Sequence, residues 1–167
     1  MNKKALTILT VSVLFSAPAF AKKETARQVM DRFFAAVDSK QPKKMAEVDA
    51  PDIEMVTPMG TFKGHEGHQQ LTKGFATAAP NFKHTVTRCI EQGETISCEG
   101  TMGGDHTGPL MMPTGQAVPA TGKHFEFKWM GMATVKGGKV TSVHVYFDPM
   151  VMMQQLGLVP APAMAKK

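Results

Sequence analysis

The chain is poor in cysteine, with two among 167 residues. Two cysteines cannot frame a disulfide scaffold or fill a cysteine-rich zinc module, and with no Cys-x-x-Cys pair they offer no redox centre. Blocks of one charge sign are missing too. The 19 Lys+Arg and 14 Asp+Glu are dispersed, so there is no clustered basic face of the kind nucleic acid requires. Long apolar runs are absent outside the N-terminus, which leaves no internal segment near the roughly 18 residues of a membrane-spanning helix. No internal repeat occurs. What is present suffices for one folded domain: 43% hydrophobic and 20% charged residues exclude a disordered chain, and the length excludes a large multi-domain enzyme. Fourteen methionines stand out; their flexible, polarizable side chains suit irregular apolar cavities.

The N-terminus reads as an export signal. Lys3 and Lys4 precede the uncharged apolar run Ala5 to Phe15, and Ala19-Phe20-Ala21 has the small-x-small form of a cleavage site. The expected division is residues 1–21 as signal peptide, 22–159 as the domain and 160–167 as a loose Pro/Ala-rich tail. The expected location is periplasmic or secreted, with no membrane attachment after cleavage and no nucleic-acid partner.

Helical signals come first. Ala26, Val29, Met30, Phe33 and Val37 form one stripe of an amphipathic helix. Pro42 opens a short second helix through Val48. Ile53 to Thr57 and Thr61 to Lys63 are short strand candidates, and His65 to Ala78 forms a third helix ended by Pro80. Strands follow: Phe82 to Glu91 and Thr95 to Met102 around Gly93-Glu94, then Phe125 to Val135 and Lys139 to Phe147 around Gly137-Gly138. Residues 103–122 read as a long loop. Met150 to Leu156 forms a last short helix ended at Gly157. Helices followed by antiparallel strands make an α+β fold.

The two glycine turns set registers. Around Gly93-Glu94, Cys89 faces Cys98; they are either a cross-strand disulfide, which an oxidising compartment allows, or two buried thiols. Around Gly137-Gly138, Gly131 faces His144, Trp129 faces Tyr146 and Phe127 faces Asp148. Strand alternation then puts Phe127, Trp129, His144, Tyr146 and Asp148 on one face, read as a pocket with Gly131 leaving room. Met130, Met132, Val143, Val145 and Phe147 fall on the other, read as a packing or homodimer face.

Several motifs in order resemble the SnoaL-like polyketide cyclase family of the nuclear transport factor 2-like fold, which ketosteroid isomerase and scytalone dehydratase share. They are Phe62-Lys63-Gly64-His65-Glu66-Gly67, His106-Thr107-Gly108-Pro109, Ala120 through Phe127, Gly138-Lys139-Val140, and Asp148 followed by Met152 through Gly157. The resemblance covers about residues 25–157. It implies a cone-shaped barrel: three N-terminal helices on a curved, mostly antiparallel sheet, enclosing an apolar cavity. It also implies an acid/base role for Asp148, near the end of the last strand. The family's acidic residue six positions earlier and its Trp four positions earlier are Ser142 and His144 here.

The candidate catalytic residues are therefore Asp148, His144 and Tyr146, and the candidate ligand-binding residues His106, Phe127, Trp129 and Gly131. Asp148 before Pro149 equally suits a helix N-cap. His65 and His68, one helical turn apart beside Glu66, have metal-ligand spacing, but core filling accounts better for the methionines, and neither a metal nor a cofactor is expected. Two functions compete. One is cofactor-free acid/base chemistry of cyclase or isomerase type on a small apolar carbonyl compound. The other is non-catalytic binding of a hydrophobic ligand.

Overall fold

The structure is a computed structural model that describes residues 23–112 and 115–160. The expected signal peptide and residues 161–167 of the expected tail lie outside the described residues.

Helix α1 (Ala26–Ser39) starts at a capping box between Thr25 and Gln28 and buries the stripe Ala26, Val29, Met30, Phe33 and Val37. Helix α2 (Pro42–Val48) begins on its proline. Strand β1 (Asp49–Thr57) turns into β2 (Gly60–Lys63), and α3 (Gly64–Ala78) follows. Next come β3 (Lys83–Gln92), β4 (Thr95–Asp105), the short pair β5 (Leu110–Met111) and β6 (Ala117–Val118), then β7 (His124–Lys136) and β8 (Lys139–Phe147). Helix α4 (Pro149–Leu156) stops at Gly157, whose φ of 75° lets the chain leave the helix in a left-handed turn. Among the described residues no helix is long and apolar enough to cross a membrane.

Six strands form one sheet in the order β2-β1-β8-β7-β4-β3, parallel only between β1 and β8. The α+β class with a mostly antiparallel sheet is as the sequence implies, with α4 added to the three N-terminal helices. The loop expected over residues 103–122 is shorter. Strand β4 runs on to Asp105 because its small-residue segment Gly103-Gly104 still completes backbone pairs with Glu126 and Phe125. The remaining loop is strapped to α3: the amides of Thr107 and Gly108 both donate to the Ala78 carbonyl, at 3.1 and 3.0 Å. Glycine is required there, since a Cβ on residue 108 would lie 1.9 Å from the Thr77 carbonyl oxygen.

The β7–β8 register corrects the sequence expectation. Lys136 faces Lys139 as read, but beyond a bulge Thr134 pairs with Ser142, Gly131 with Val145 and Trp129 with Phe147. Thr141 is the extra residue, and its hydroxyl donates to the Thr134 carbonyl at 3.2 Å. One inserted residue exchanges the faces of β8. Val143, Val145 and Phe147 now join Phe127 and Trp129 on the concave, buried side. His144 and Tyr146 turn outward beside Met130 and Met132, and Tyr146 is 65% exposed.

On the other hairpin Cys89 faces Cys98, as the turn register requires, and the two form a disulfide. Closing so short a loop stabilises the fold by about 2–3 kcal/mol in the chain-entropy account. Replacing both cysteines by alanine is expected to lower the unfolding free energy by about that amount, as measured by urea denaturation followed by circular dichroism; a loss within error of zero contradicts a formed bond.

Candidate functional site

The concave side of the sheet and helices α1 and α3 enclose an apolar hollow of about 100 Å³. Aromatic rings make much of its wall. Consecutive α1 residues set the arrangement: Phe33 stacks on His68 (centroids 5.2 Å apart), while Phe34 meets Trp129 at 5.2 Å and His84 at 5.5 Å. From the sheet, Phe127 stacks on Phe147 at 4.9 Å. Among the described residues no lysine or arginine lines the hollow. The polar groups they place there are two imidazoles, two threonines and the Trp129 indole, whose Nε1–H is buried with no hydrogen-bond partner among them.

Both imidazoles are held by carboxylates. His84, on β3, donates from Nδ1 to Asp38 at 2.7 Å, and its backbone amide lies 3.2 Å from both Asp38 oxygens. His68, on α3, contacts Asp49 through Nδ1 at 2.7 Å, with both side chains nearly inaccessible to solvent. A carboxylate can only accept, so each ring carries its Nδ1 proton and directs Nε2 elsewhere. Neither Nε2 has a partner among the described residues. A third pair, His124 with Asp105 at 2.7 Å, is solvent-exposed at the root of the loop. There the hydrogen bond from His124, then that from Asn81, holds the Asp105 carboxyl below the usual range.

Lys40 locks the His84–Asp38 pair in place. It adopts a left-handed conformation (φ 56°) that is uncommon for a side chain with a Cβ. Its ammonium donates to the carbonyls of Asp38 and Phe82, both at 2.9 Å, and lies 4.3 Å from the centre of the Phe82 ring. The end of α1 is thereby tied to the start of β3. Burial lowers the Lys40 pKa from the usual value of 10.5, with the Asp38 charge opposing that shift.

Of the sequence-predicted site residues, Phe127, Trp129 and Gly131 line the hollow. His144 and Tyr146 do not, because the Thr141 bulge turns them to the outer face. Asp148 is exposed and caps α4, accepting from the Met150 amide at 2.8 Å. His106, expected to bind ligand, does not line the hollow. It is fully buried in the loop base, where Nδ1 accepts from the Thr121 amide at 3.2 Å. The sequence reading missed His84, Asp38 and Asp49. The available signal was His84 itself, two residues after Phe82 on the inward side of a strand. Its carboxylate lies 46 positions away in sequence, beyond any local pattern. Among the described residues no group of three or more His, Cys, Asp or Glu side chains is arranged to hold a metal.

A curved sheet closed by helices over an apolar hollow defines an α+β protein of the nuclear transport factor 2-like class. The SnoaL-like polyketide cyclase family model matches residues 27–156, and the chain belongs to that family. Among solved structures it is similar to IdmH of Streptomyces antibioticus, with TM-score 0.70, 22% identity, and 80% of this chain and 99% of that one covered. It is also similar to a protein of ketosteroid isomerase-like fold from Catenulispora acidiphila, solved with trimethylamine, at TM-score 0.67 and 20% identity over 84% of this chain and 99% of that one. A third, TerC co-crystallized with polyporic acid, gives TM-score 0.63 and 18% identity over 79% of this chain and 98% of that one. These likenesses are of fold. The curated proteins give no match.

His106 provides a pH test of the loop base. Burial lowers its pKa below the usual 6.5, and protonation would set an Nδ1–H against the Thr121 N–H. The unfolded chain therefore binds the proton first. This contribution to stability is complete above about pH 6.5 and is lost as pH falls from there towards the folded-state pKa. Titration of the His106 ring protons by NMR is expected to give a midpoint below 6.5, and the pH dependence of stability in this window to diminish in His106→Gln.

Proposed function

We propose that the hollow takes a small apolar carbonyl compound and moves protons on it without a cofactor, with His84 as the base and Asp38 as the carboxylate that orients it. The observation that carries this reading is the 2.7 Å contact between His84 Nδ1 and Asp38, which leaves Nε2 as a lone-pair nitrogen on a ring in the wall of the hollow. An imidazole whose tautomer is fixed by a carboxylate is suited to abstract a proton next to a carbonyl at neutral pH. Family membership supports chemistry of cyclase or isomerase type. Asp148, to which the resemblance points, is engaged in capping α4, and we assign the proton-transfer role to the α1–β3 pair instead. The competing reading is a carrier that holds its ligand unchanged; the apolar aromatic walls would serve that equally. The Cys89–Cys98 bond supports a periplasmic or secreted location.

Deuterium exchange at the α-carbons of 2-tetralone, followed by proton NMR in D₂O, separates these readings. The wild-type protein is expected to accelerate exchange, His84→Gln to lower the rate by about 100-fold or more, and Asp38→Asn to lower it less. Retention of the ketone without exchange supports the carrier. Exchange that survives His84→Gln removes His84 as the base.

The outer face of the sheet also exposes Met130, Met132 and Tyr146, with Met130 and Met132 each 54% exposed. We propose that a second copy covers this face, in a homodimer. The double change Met130→Lys and Met132→Lys is expected to convert a dimeric species to a monomer in sedimentation analysis without altering the fold; a wild-type monomer contradicts the dimer.

A further inference from the structure

The charge balance of the hollow assigns a second proton-handling group. Proton removal from a carbon next to a carbonyl leaves negative charge on the carbonyl oxygen. In this hollow that charge would be poorly solvated, because among the described residues no lysine or arginine lines the wall and most of the surrounding groups are apolar. An isolated buried anion is costly. A neutral enol avoids the charge, but it requires an acid on the same hollow.

His68 is placed for that task. It lies on α3, whereas His84 lies on β3, and the two rings bracket the adjacent Phe33 and Phe34 of α1. Its Nδ1 is 2.7 Å from Asp49 Oδ2, and its Nε2 has no partner among the described residues. Asp49 is 1% exposed, and its second oxygen, Oδ1, has no hydrogen-bond donor among the described residues. A proton on His68 makes the buried His68–Asp49 pair neutral overall. His65 of the same helix is also nearby, its Nε2 3.4 Å from the Asp49 carbonyl. A purely structural pair would not need to line the ligand space, yet His68 does.

We propose that His68, charge-balanced by Asp49, is the acid that protonates the ligand's carbonyl oxygen while His84 takes the proton from the neighbouring carbon. This rests on the reading of His84 as the base. The C–H electron pair becomes the C=C bond, and the carbonyl π pair takes the proton from His68 Nε2 as a new O–H bond. His84 ends protonated and His68 neutral, with its Nδ1–H still on Asp49. The enol is consumed when its carbon takes the proton back from His84, or when it bonds to a second carbonyl carbon within the same ligand, whose C=O π pair moves to its oxygen and takes the His84 proton as a new O–H bond. The O–H proton then returns to His68. Ligands of this class carry one enolisable carbonyl and no ionised group.

The 2-tetralone exchange assay in D₂O tests the proposal on the full chain. The wild-type rate is expected to be bell-shaped with pH, since one imidazole must be neutral and the other protonated. His68→Gln is expected to lower the rate at least 30-fold and leave a single rising limb, while His84→Gln abolishes exchange. Asp49→Asn is expected to lower the rate in the same direction as His68→Gln. Thermal melts and ¹⁵N spectra of the His84 ring in each variant report whether the fold and the Asp38 contact persist. If His84→Gln abolishes exchange but a folded His68→Gln keeps the bell shape and a rate within twofold of wild type, His68 is not the acid and His84 still stands as the base. If the wild-type protein gives no exchange, or a folded His84→Gln retains it, both readings fall.

Discussion

A sheet with one face turned outward and one in the core of its own subunit has to keep the apolar side chains of that core on the inner face along its whole length. In β8 this constraint is met by one extra residue, Thr141, whose hydroxyl returns a hydrogen bond to the opposite strand. Without the bulge, Val143, Val145 and Phe147 would face solvent, at roughly 1.5–3 kcal/mol for each large apolar side chain left unburied. That cost outweighs whatever is gained by keeping His144 and Tyr146 inside, so these two side chains turn outward. The same turn strips the last strand of polar groups on the hollow, so the chemistry of the cavity has to come from α1, α3, β1 and β3.

The groups that supply it are expensive to bury. Taking a carboxylate and an imidazolium out of water costs several kcal/mol per ion before their attraction is counted, and isosteric apolar pairs are often no less stable. A fold that needed only packing could place apolar side chains at these positions, as it does over most of the rest of the wall. Two buried or half-buried His–Asp pairs therefore mark the hollow as more than a filled core. The exposed His124–Asp105 pair serves as a contrast. It has the same 2.7 Å contact but lies in water at the loop root, where an ion pair contributes little.

Local patterns in the sequence reached far into the fold. The α1 stripe, the Gly93-Glu94 turn and the resulting Cys89–Cys98 pairing follow from periodicity and turn chemistry, because each involves residues close in the chain. Phe127, Trp129 and Gly131 were legible as one face of β7 for the same reason. The face of β8 was not, since the register set by Gly137-Gly138 holds only for the first two pairs, Lys136 with Lys139 and Val135 with Val140, and nothing in Lys139 to Ser142 announces an inserted residue. Nor were the His–Asp pairs, which join helices to strands at separations of 46 and 19 positions. His106 was read as a ligand-binding residue at the start of a glycine-rich loop. Its ring instead accepts from the Thr121 amide and stabilises the base of that loop.

The remaining question is how a hollow of about 100 Å³ admits a ligand, when small-molecule pockets usually measure about 300–1,000 Å³. The wall mixes two kinds of side chain. Its rings, Phe33, Phe34, Phe127 and Trp129 among them, are interlocked by contacts of 4.9–5.7 Å between Phe33 and Phe34, Phe34 and Trp129, and Phe127 and Phe147. Between them stand Met30, Met55, Met59 and Met102, the last directly opposite Phe127 across the β4–β7 pair. Methionine has three rotatable bonds and no branch, so it can vacate space at a smaller packing cost than a ring or a β-branched residue. Expansion therefore falls on the methionines, while the rings that fix His68 and His84 stay in place. Adaptable volume beside fixed proton donors and acceptors lets the position of a carbonyl, more than the outline of the molecule, decide which ligand reacts.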